Sequence, residues 1–316
     1  MSLGPEATRL DERLAEMIEP ATRERLWRST AGILEYGPCA SGGVAGGTGL
    51  ALGYVQSGKT TSITALVASA ADAGYRLVVA LLGSTNLLLG QNLARVEGAL
   101  GIGAREDYVW VSMPNLSGVS GGRALDGWLR RGRVVLVPVL KHAGRIRSAA
   151  AALARLDLHD VPTLVVDDEA DQASLNTLGV SAESRTYEAI RLLRDAVPRH
   201  LYVQYTATPY APLLLEADDL LRPEFVEFLH PGPGYVGGRE FFVDHAATVV
   251  RDVPVLDEQV TKSLPIELPS SLVQALGSFV AGAALLLQND PAGAPVSMLV
   301  HSTQRNDVQA RYHFLL

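Results

Sequence analysis

The chain of 316 residues is 47% apolar and 19% charged, a composition that fits one large or two ordinary globular domains and excludes a disordered chain. Its net charge of −7 argues against a basic field over the whole surface, although a local basic patch is compatible with it. Because Cys39 is the single cysteine and the seven histidines show no ligand spacing, we expect a reducing cytoplasm, no disulfide framework and no zinc site.

Along the chain, apolar periodicity predicts strands that alternate with helices. Residues 1–35 carry apolar positions at helical spacing among charged residues, which predicts one or two amphipathic helices. Continuous apolar runs predict strands that are buried on both faces, as in a parallel sheet, at 48–55, 75–82, 133–139, 162–166 and 201–205. Helices are predicted between them at 61–73, 86–100, 142–156 and 184–196. The pattern indicates a doubly wound α/β sheet.

Beyond residue 212 the pattern changes. Residues 213–229 are acidic, 231–238 are rich in glycine and proline, and 272–287 form an apolar run that is too short to span a bilayer, so we expect a buried helix and no membrane partner. A strand at 296–301 and part of a helix then end the sequence, which indicates a truncated second lobe. The predicted organisation is an N-terminal helical region at 1–44, the α/β lobe at 45–230, a linker or accessory region at 231–295, and the start of a second lobe at 296–316.

Residues 53–60, GYVQSGKT, match the G-x-x-x-x-G-K-[ST] pattern of a phosphate-binding loop between a predicted strand and a predicted helix. The N–H groups of such a loop and the helix dipole concentrate positive potential on an anion. Lys59 would reach the β- and γ-phosphates of a nucleotide, and the Thr60 hydroxyl would hold Mg²⁺. A purely structural glycine-rich turn is the alternative. The predicted nucleotide-binding residues are Gly53, Gln56, Ser57, Gly58, Lys59, Thr60 and Thr61.

A run of acids, VDDEAD, follows the strand predicted at 162–166. At the carboxyl edge of a parallel sheet, Asp168 would hold Mg²⁺ through water, and Glu169 would orient and deprotonate the attacking water, with Lys59 as the second catalytic residue. The alternative is an acidic helix N-terminus that interacts with the helix dipole.

A third polar motif, TATP at 206–209, also ends a predicted strand. The hydroxyls of Thr206 and Thr208 are expected to bond to the acid box, where Asp171 would join them in coupling the nucleotide site to a second site. An ordinary strand-end turn before Pro209 is the alternative.

These strings carry a resemblance to known ATPases. GYVQSGKT, DEAD and TATP resemble motifs I, II and III of the superfamily-two helicases, and VDDEADQASLNT and YVQYTATPYAPLL, together with the loop, resemble the bacterial Z-one domain. That domain is a helicase-like ATPase associated with endonucleases in restriction and phage-defence systems, and the resemblance runs from about residue 45 to 230. Gln56 departs from the helicase loop, where glycine is common, but agrees with the Z-one pattern.

The resemblance implies a RecA-like lobe that hydrolyses Mg²⁺–ATP and acts on DNA, with a nuclease or another defence-system subunit as partner. It also implies that Lys141 approaches the nucleic-acid backbone. Residues 123–155 support this, because they hold eight basic side chains against one acid, Asp126. A solvated basic face that pairs with the acids of 216–227 is the alternative. The candidate nucleic-acid residues are Arg130, Arg131, Lys141, Arg145 and Arg147.

Two other function classes remain open, a small-molecule P-loop kinase and a nucleotide-binding scaffold module of a defence complex that does not cycle. Nuclease activity of the PD-(D/E)xK type is not predicted, because no acid stands two residues before any of the three lysines. Helicase-like motors take an arginine from a second lobe, so we expect this chain alone to bind nucleotide but hydrolyse it slowly.

Overall fold

A computed structural model describes residues 2–39, 45–107, 109–114, 116–173, 184–216, 218–260, 264–290, 295–303 and 305–316. The chain forms two compact units, Met1–Gly237 and Gly238–Leu316. All strands of the described residues belong to the first unit, so the α/β fold lies there.

The first unit is built on one seven-stranded sheet. Its strands are β1 (Gly47–Gly53), β2 (Leu77–Leu81), β3 (Trp110–Ser112), β4 (Val134–Val139), β5 (Thr163–Asp168), β6 (His200–Thr206) and β7 (Phe225–Leu229). They lie in the order β3-β4-β2-β5-β6-β1-β7, and every neighbouring pair is parallel. The predicted parallel sheet is therefore confirmed.

Helices cover both faces of this sheet. They are α1 (Pro5–Leu14), α2 (Pro20–Leu34), α3 (Lys59–Asp72), α4 (Asn86–Leu100), α5 (Gly118–Arg130), α6 (Ala143–Leu153), α7 (Ala170–Ala173), α8 (Arg185–Ala196) and α9 (Tyr210–Leu213). Alternate strand residues face opposite cores: in β2, Val78 and Ala80 pack with α1 to α4, whereas Leu77 and Val79 pack with α5, α6 and α8. This doubly wound α/β architecture fits a RecA-like lobe.

Three elements at the edges of the sheet are not predicted by the sequence. The strand β3 has only three residues, and α5 contains four glycines, which lowers its helix propensity. The edge strand β7 is half-buried and lies in an acidic segment without a continuous apolar run. In addition, β5 continues past its predicted end at residue 166 to Asp168, so the first two acids of the acid box belong to the strand.

The second unit is helical in its described residues. It contains a π-helical turn (Glu240–Asp244), α10 (Ala246–Val249), α11 (Val255–Val260), α12 (Ser270–Asn289) and α13 (Asn306–Leu315). The strand predicted at 296–301 is wrong, because residues 295–303 form no regular element.

The apolar helix α12 departs from its prediction in length and in burial. It has 20 residues and a mean hydropathy of 1.7, and none of the apolar window is buried. Among the described residues it is the one helix that is long and apolar enough to cross a membrane. Length and composition alone are weak evidence for a membrane span. The prediction of a buried helix is wrong, because the described part of this unit has no sheet on which α12 could pack.

At the amino edge of the sheet in the first unit, a buried arginine joins three segments. The guanidinium of Arg194 donates to His200 Nε2 (2.9 Å) and to the carbonyl oxygens of Leu220 (2.6 Å) and Gly46 (2.7 Å). His200 Nδ1 lies 2.7 Å from the oxygen of Val197, so Nδ1 carries the proton and Nε2 accepts. Burial and then the charge of Arg194 lower the pKa of His200 to about 4.

This shift predicts a loss of stability in mild acid. Because the folded pKa lies below the unfolded value of 6.5, stability is complete above pH 6.5 and falls as pH drops towards 4, by up to about 3 kcal/mol. Chemical denaturation of wild type and His200→Gln between pH 7.5 and 5 measures this contribution. If the glutamine variant loses the same stability as wild type, other groups are responsible.

Candidate functional site

Three predicted motifs lie at the carboxyl edge of the sheet. The strands β1, β6 and β5 are parallel neighbours, and Leu52 pairs with Thr206 while Asp168 pairs with Tyr205. The phosphate-loop sequence, the acid box and TATP therefore begin at adjacent strand ends. The structure brings these sequence-distant residues together in the manner that the sheet prediction requires.

The loop between β1 and α3 has two residues in the left-handed region. Gln56 has φ 55° and Gly58 has φ 95°. A left-handed residue other than glycine costs about 1–2 kcal/mol and is concentrated at functional sites. Gly58 is the N-cap of α3 and provides no side-chain cap, so the first N–H groups of α3 are suited to an anion.

Lys59 and Ser57 fold back on the start of this loop. Lys59 Nζ donates to the oxygen of Tyr54 (3.1 Å), and Ser57 Oγ donates to the same oxygen (2.8 Å). A Cβ at Gly53 would lie 3.2 Å from both Lys59 Cγ and Ser57 Oγ, so glycine at this position gives the two side chains room. Thr60 and Thr61 follow in the first turn of α3 and are half-buried.

Asp168 is the buried acid of the site, at 8% exposure. Burial first, and the charges of Glu169 and Asp167, raise its pKa to about 6, whereas the charges of Lys141 and Lys59 oppose the rise. Because β6 lies between β1 and β5, the loop that carries Lys59 and the strand that ends in Asp168 are two strands apart at the same edge of the sheet.

Two oxygen ligands of the kind that Mg²⁺ prefers occur at this edge of the sheet, the Asp168 carboxylate at the end of β5 and the Thr60 hydroxyl in the first turn of α3. A bound cation would offset the cost of burying the charged Asp168 carboxylate. Among the described residues no three His, Cys, Asp or Glu side chains are arranged so that they could hold a metal ion together, so phosphates and water would complete the coordination. Asn92 of α4, which the sequence does not single out, places Nδ2 3.5 Å from Asp168 Oδ2.

Glu169 follows β5 directly and is half-buried. Its φ of 53° is in the left-handed region, and with Gln56 it is one of the two such residues other than glycine among those described. Both lie at the candidate nucleotide site, which is where backbone strain tends to be retained for function.

The TATP motif bonds to the acid box through Asp171. Thr206 Oγ1 donates to Asp171 Oδ1 (2.5 Å), and Thr208 Oγ1 donates to Asp171 Oδ2 (2.6 Å). The backbone N–H of Thr208 also donates to Thr206 Oγ1 (2.9 Å). These bonds tie the ends of β5 and β6 together, and the coupling role of the three residues stays a prediction.

The candidate nucleic-acid residues do not form one surface. Arg130 and Arg131 end α5 and precede β4, at the amino edge of the sheet, whereas Arg145 and Arg147 follow β4 at the carboxyl edge. Arg130 is paired with Asp126 (2.8 Å) and Arg147 with Glu188 (2.6 Å), Arg131 lies over the Trp128 ring, and Arg145 is exposed. The described pairs do not involve the acids of 216–227.

The prediction that Lys141 contacts a nucleic-acid backbone is wrong. Its side chain is only 2% exposed and is paired with Asp167. A lysine that directly follows a strand is typically exposed, which is the basis of the prediction. In the structure the Lys141 ammonium is instead buried against Asp167 and the carbonyl groups at the end of β5.

A cavity of about 830 Å³ lies beside the loop on the side of β7. Its wall combines α2, the first turn of α3 and the end of β7 with the residues that follow, including Thr22, Ser29, Thr61, His230 and Gly232. Tyr235 fixes this segment to the loop, because its hydroxyl donates to the oxygen of Val55 (2.7 Å) and its ring lies 5.7 Å from that of Tyr54. This wall is not predicted from the sequence, in which residues 231–295 have the composition of a linker or accessory region.

Comparisons with known proteins give structural likenesses and no family. No family model matches the chain, and no curated protein matches it. The solved structures similar to it include the Pyrococcus furiosus Hef helicase domain, at 18% identity and TM-score 0.40 over 58% of this chain and 34% of that one. RecG bound to a three-way DNA junction is similar at 16% identity and TM-score 0.45, over 88% of this chain and 33% of that one.

The chain thus spans about a third of the length of both helicases. A third similar structure, the E. coli MS115-1 HORMA:CdnC:Trip13 complex, has a TM-score of 0.27 at 16% identity, over 96% of this chain and 91% of that one. At these scores the likenesses carry no argument about function, which has to rest on the site.

The raised pKa of Asp168 predicts that its charge destabilises the metal-free protein. Stability from this group is complete below the unfolded pKa of 3.8 and is lost as pH rises through about 6. At pH 8 without Mg²⁺, Asp168→Asn should therefore increase the free energy of unfolding by up to about 3 kcal/mol. Denaturant titration in EDTA measures this, with Asp160→Asn, an exposed position in a turn, as control. Equal stability of Asp168→Asn and wild type at pH 8 would contradict the prediction.

Proposed function

We propose that the chain binds Mg²⁺–ATP at the carboxyl edge of its sheet and hydrolyses it to ADP and phosphate, as a helicase-like ATPase lobe. One observation carries the proposal: β1, β6 and β5 are parallel neighbours in the sheet, so Lys59, which follows β1 at the start of α3, and the buried Asp168 carboxylate at the end of β5 lie at the same edge of the sheet, two strands apart. A nucleotide tail and its metal ion would need these two groups within reach of each other.

Each residue has a defined role in this proposal. The loop N–H groups and Lys59 bind the phosphates, and Thr60 and Asp168 hold Mg²⁺, which neutralises developing charge on the phosphates. Glu169 orients and deprotonates the attacking water. The buried position of Asp168 supports the metal role, since its charge is disfavoured without a cation.

The base and ribose of the nucleotide would occupy the cavity beside β7. Its volume of about 830 Å³ is in the range of small-molecule sites, and its wall includes Ser57, Gly58 and Thr61 of the phosphate loop and α3. The phosphate tail would then point from the cavity across β1 towards Asp168.

Coupling to DNA is the finer part of the proposal. The bonds from Thr206 and Thr208 to Asp171 link the acid box to the end of β6, a route by which nucleotide state would reach a second site. Arg145 at the carboxyl edge and Arg131 at the amino edge are exposed and are the cations best placed to meet phosphates. By its motifs we assign the chain to Z-one-type ATPases of a cytoplasmic restriction or phage-defence system, with a nuclease or another defence subunit as partner.

Loss of Lys59 and loss of Glu169 should have different effects. Lys59→Ala should raise the dissociation constant for Mg²⁺–ATP at least about tenfold, because the ammonium no longer meets the phosphates. Glu169→Gln should leave binding intact and lower turnover by about 10²–10⁴-fold. Calorimetry and phosphate release, with and without DNA, measure both, with the exposed Glu12→Gln as control.

The outcomes separate the remaining classes. Unchanged ATP affinity in Lys59→Ala would contradict nucleotide binding at this site. Equal cellular function of wild type and Glu169→Gln would favour a module that does not cycle, and phosphate transfer to a small molecule without DNA stimulation would favour a kinase.

A bulky side chain in the cavity should weaken the binding of ATP but not the binding of a phosphate ligand that has no base. Thr22 and Gly232 both line the cavity and are neighbours in its wall, since a Cβ at Gly232 would be 3.8 Å from Thr22 Cγ2. Thr22→Trp should raise the dissociation constant for Mg²⁺–ATP at least about tenfold and leave that for Mg²⁺–tripolyphosphate within about twofold. Thr8→Trp, on the exposed face of α1, is the matched control. Equal weakening of both ligands would show that the base lies elsewhere.

A further inference from the structure

Lys141 is a buried cation that the proposed mechanism does not use. It follows β4, and its backbone N–H donates to the oxygen of Gly83 (3.0 Å), just after β2. Its side chain crosses the end of β2 to reach the end of β5, since β2 lies between these strands. A buried ammonium is expected only where partners satisfy it.

The three partners of this ammonium are consecutive residues. Lys141 Nζ lies 2.5 Å from Asp167 Oδ1, donates to the oxygen of Asp168, and donates to the oxygen of Glu169 (2.9 Å). The two carbonyl oxygens accept hydrogen bonds from the ammonium, and the Asp167 carboxylate pairs with its charge. The other oxygen of Asp167 accepts from the Tyr202 hydroxyl (2.5 Å), so the carboxylate is held from a second side.

We propose that Lys141 is a positioning residue that holds Glu169 in its left-handed conformation. Two successive carbonyl groups turn towards one cation at the point where the chain leaves β5, and the residue that carries the second of them has φ 53°. A strand can end without contacts between its carbonyl groups and a cation. The left-handed backbone conformation is unfavourable for a glutamate, so the contacts with Lys141 are needed to explain why Glu169 adopts it. The role of Lys141 in turnover rests on the proposed function, since Glu169 is the base there.

The competing explanation is that Lys141 only neutralises Asp167. Removal of Lys141 alone would leave a buried unpaired carboxylate, and loss of folding would then decide nothing. The double variant Lys141→Met/Asp167→Asn removes both charges and keeps an acceptor for Tyr202. The reference is Asp167→Asn, in which the ammonium keeps its two carbonyl contacts and Asp168 remains beside it as a counter-charge.

The test compares these two variants in three measurements. We expect the crystal structure of the double variant to show Glu169 out of the left-handed region, its turnover of Mg²⁺–ATP to fall about a hundredfold below Asp167→Asn, and its dissociation constant for ATP to stay within about threefold. A loss confined to turnover is the mark of a misplaced base.

Two results would overturn the proposal: an unchanged left-handed Glu169 in the double variant, or a changed conformation with turnover equal to Asp167→Asn. If wild type itself hydrolyses no ATP, the proposed function fails. The φ of Glu169 in the two variant structures then still decides whether Lys141 holds this residue.

Discussion

The parallel register of β1, β6 and β5 is the constraint on which the rest of the site depends. Parallel strands that are neighbours end at one edge, so chain segments more than a hundred residues apart in sequence meet there without any special loop. A shift of one residue in the register of β5 would move Asp167 to the face that Asp168 now occupies, and Asp168 to the face of Asp167. Both would lose their present partners. The register is fixed by the apolar residues of both sheet faces, which form two separate cores. The stability of the cores and the geometry of the site are therefore one property of the sheet.

Charge at this edge is concentrated and only partly compensated. Asp167 is fully buried and paired with Lys141, whereas Asp168 is nearly buried and retains a raised pKa. Of the three lysines of the chain, Lys141 is paired with Asp167, and Lys59 lies in the loop at the same edge of the sheet. Under the proposed function the two acids would have separate roles: Asp167 is paired with an internal cation, and Asp168 would meet a cation that arrives with the ligand. Such incomplete compensation reduces stability at the place where binding would restore it.

The sequence predicts the central sheet and the motif positions because both depend on local patterns. Runs such as 133–139 are apolar throughout, and the loop and acid box are short strings that end such runs. The sequence does not predict β7, because its burial comes from neighbouring elements. It does not predict α5 either, because the four glycines lower the helix propensity of a segment that packing stabilises as a helix. Lys141 is misassigned for a related reason: a lysine after a strand has the same local pattern whether it faces solvent or buried acids across the end of another strand. The exposure of α12 is likewise decided by tertiary packing and not by its composition.

The cavity beside the loop bears on how the chain is organised. Its wall is formed by α2 from the start of the chain and by β7 and the residues after it, about two hundred positions later. The N-terminal helices are tied to the sheet by specific bonds, because Asp72 at the end of α3 accepts from the backbone N–H groups of Glu6 and Ala7 (2.9 Å each). A nucleotide bound as proposed would touch α2 and β7 at one end and the acid box at the other. The N-terminal helices would then be part of the nucleotide site. Because the base would contact α2 and β7 whereas the phosphates would contact the loop and the acid box, binding would stabilise both groups of elements together.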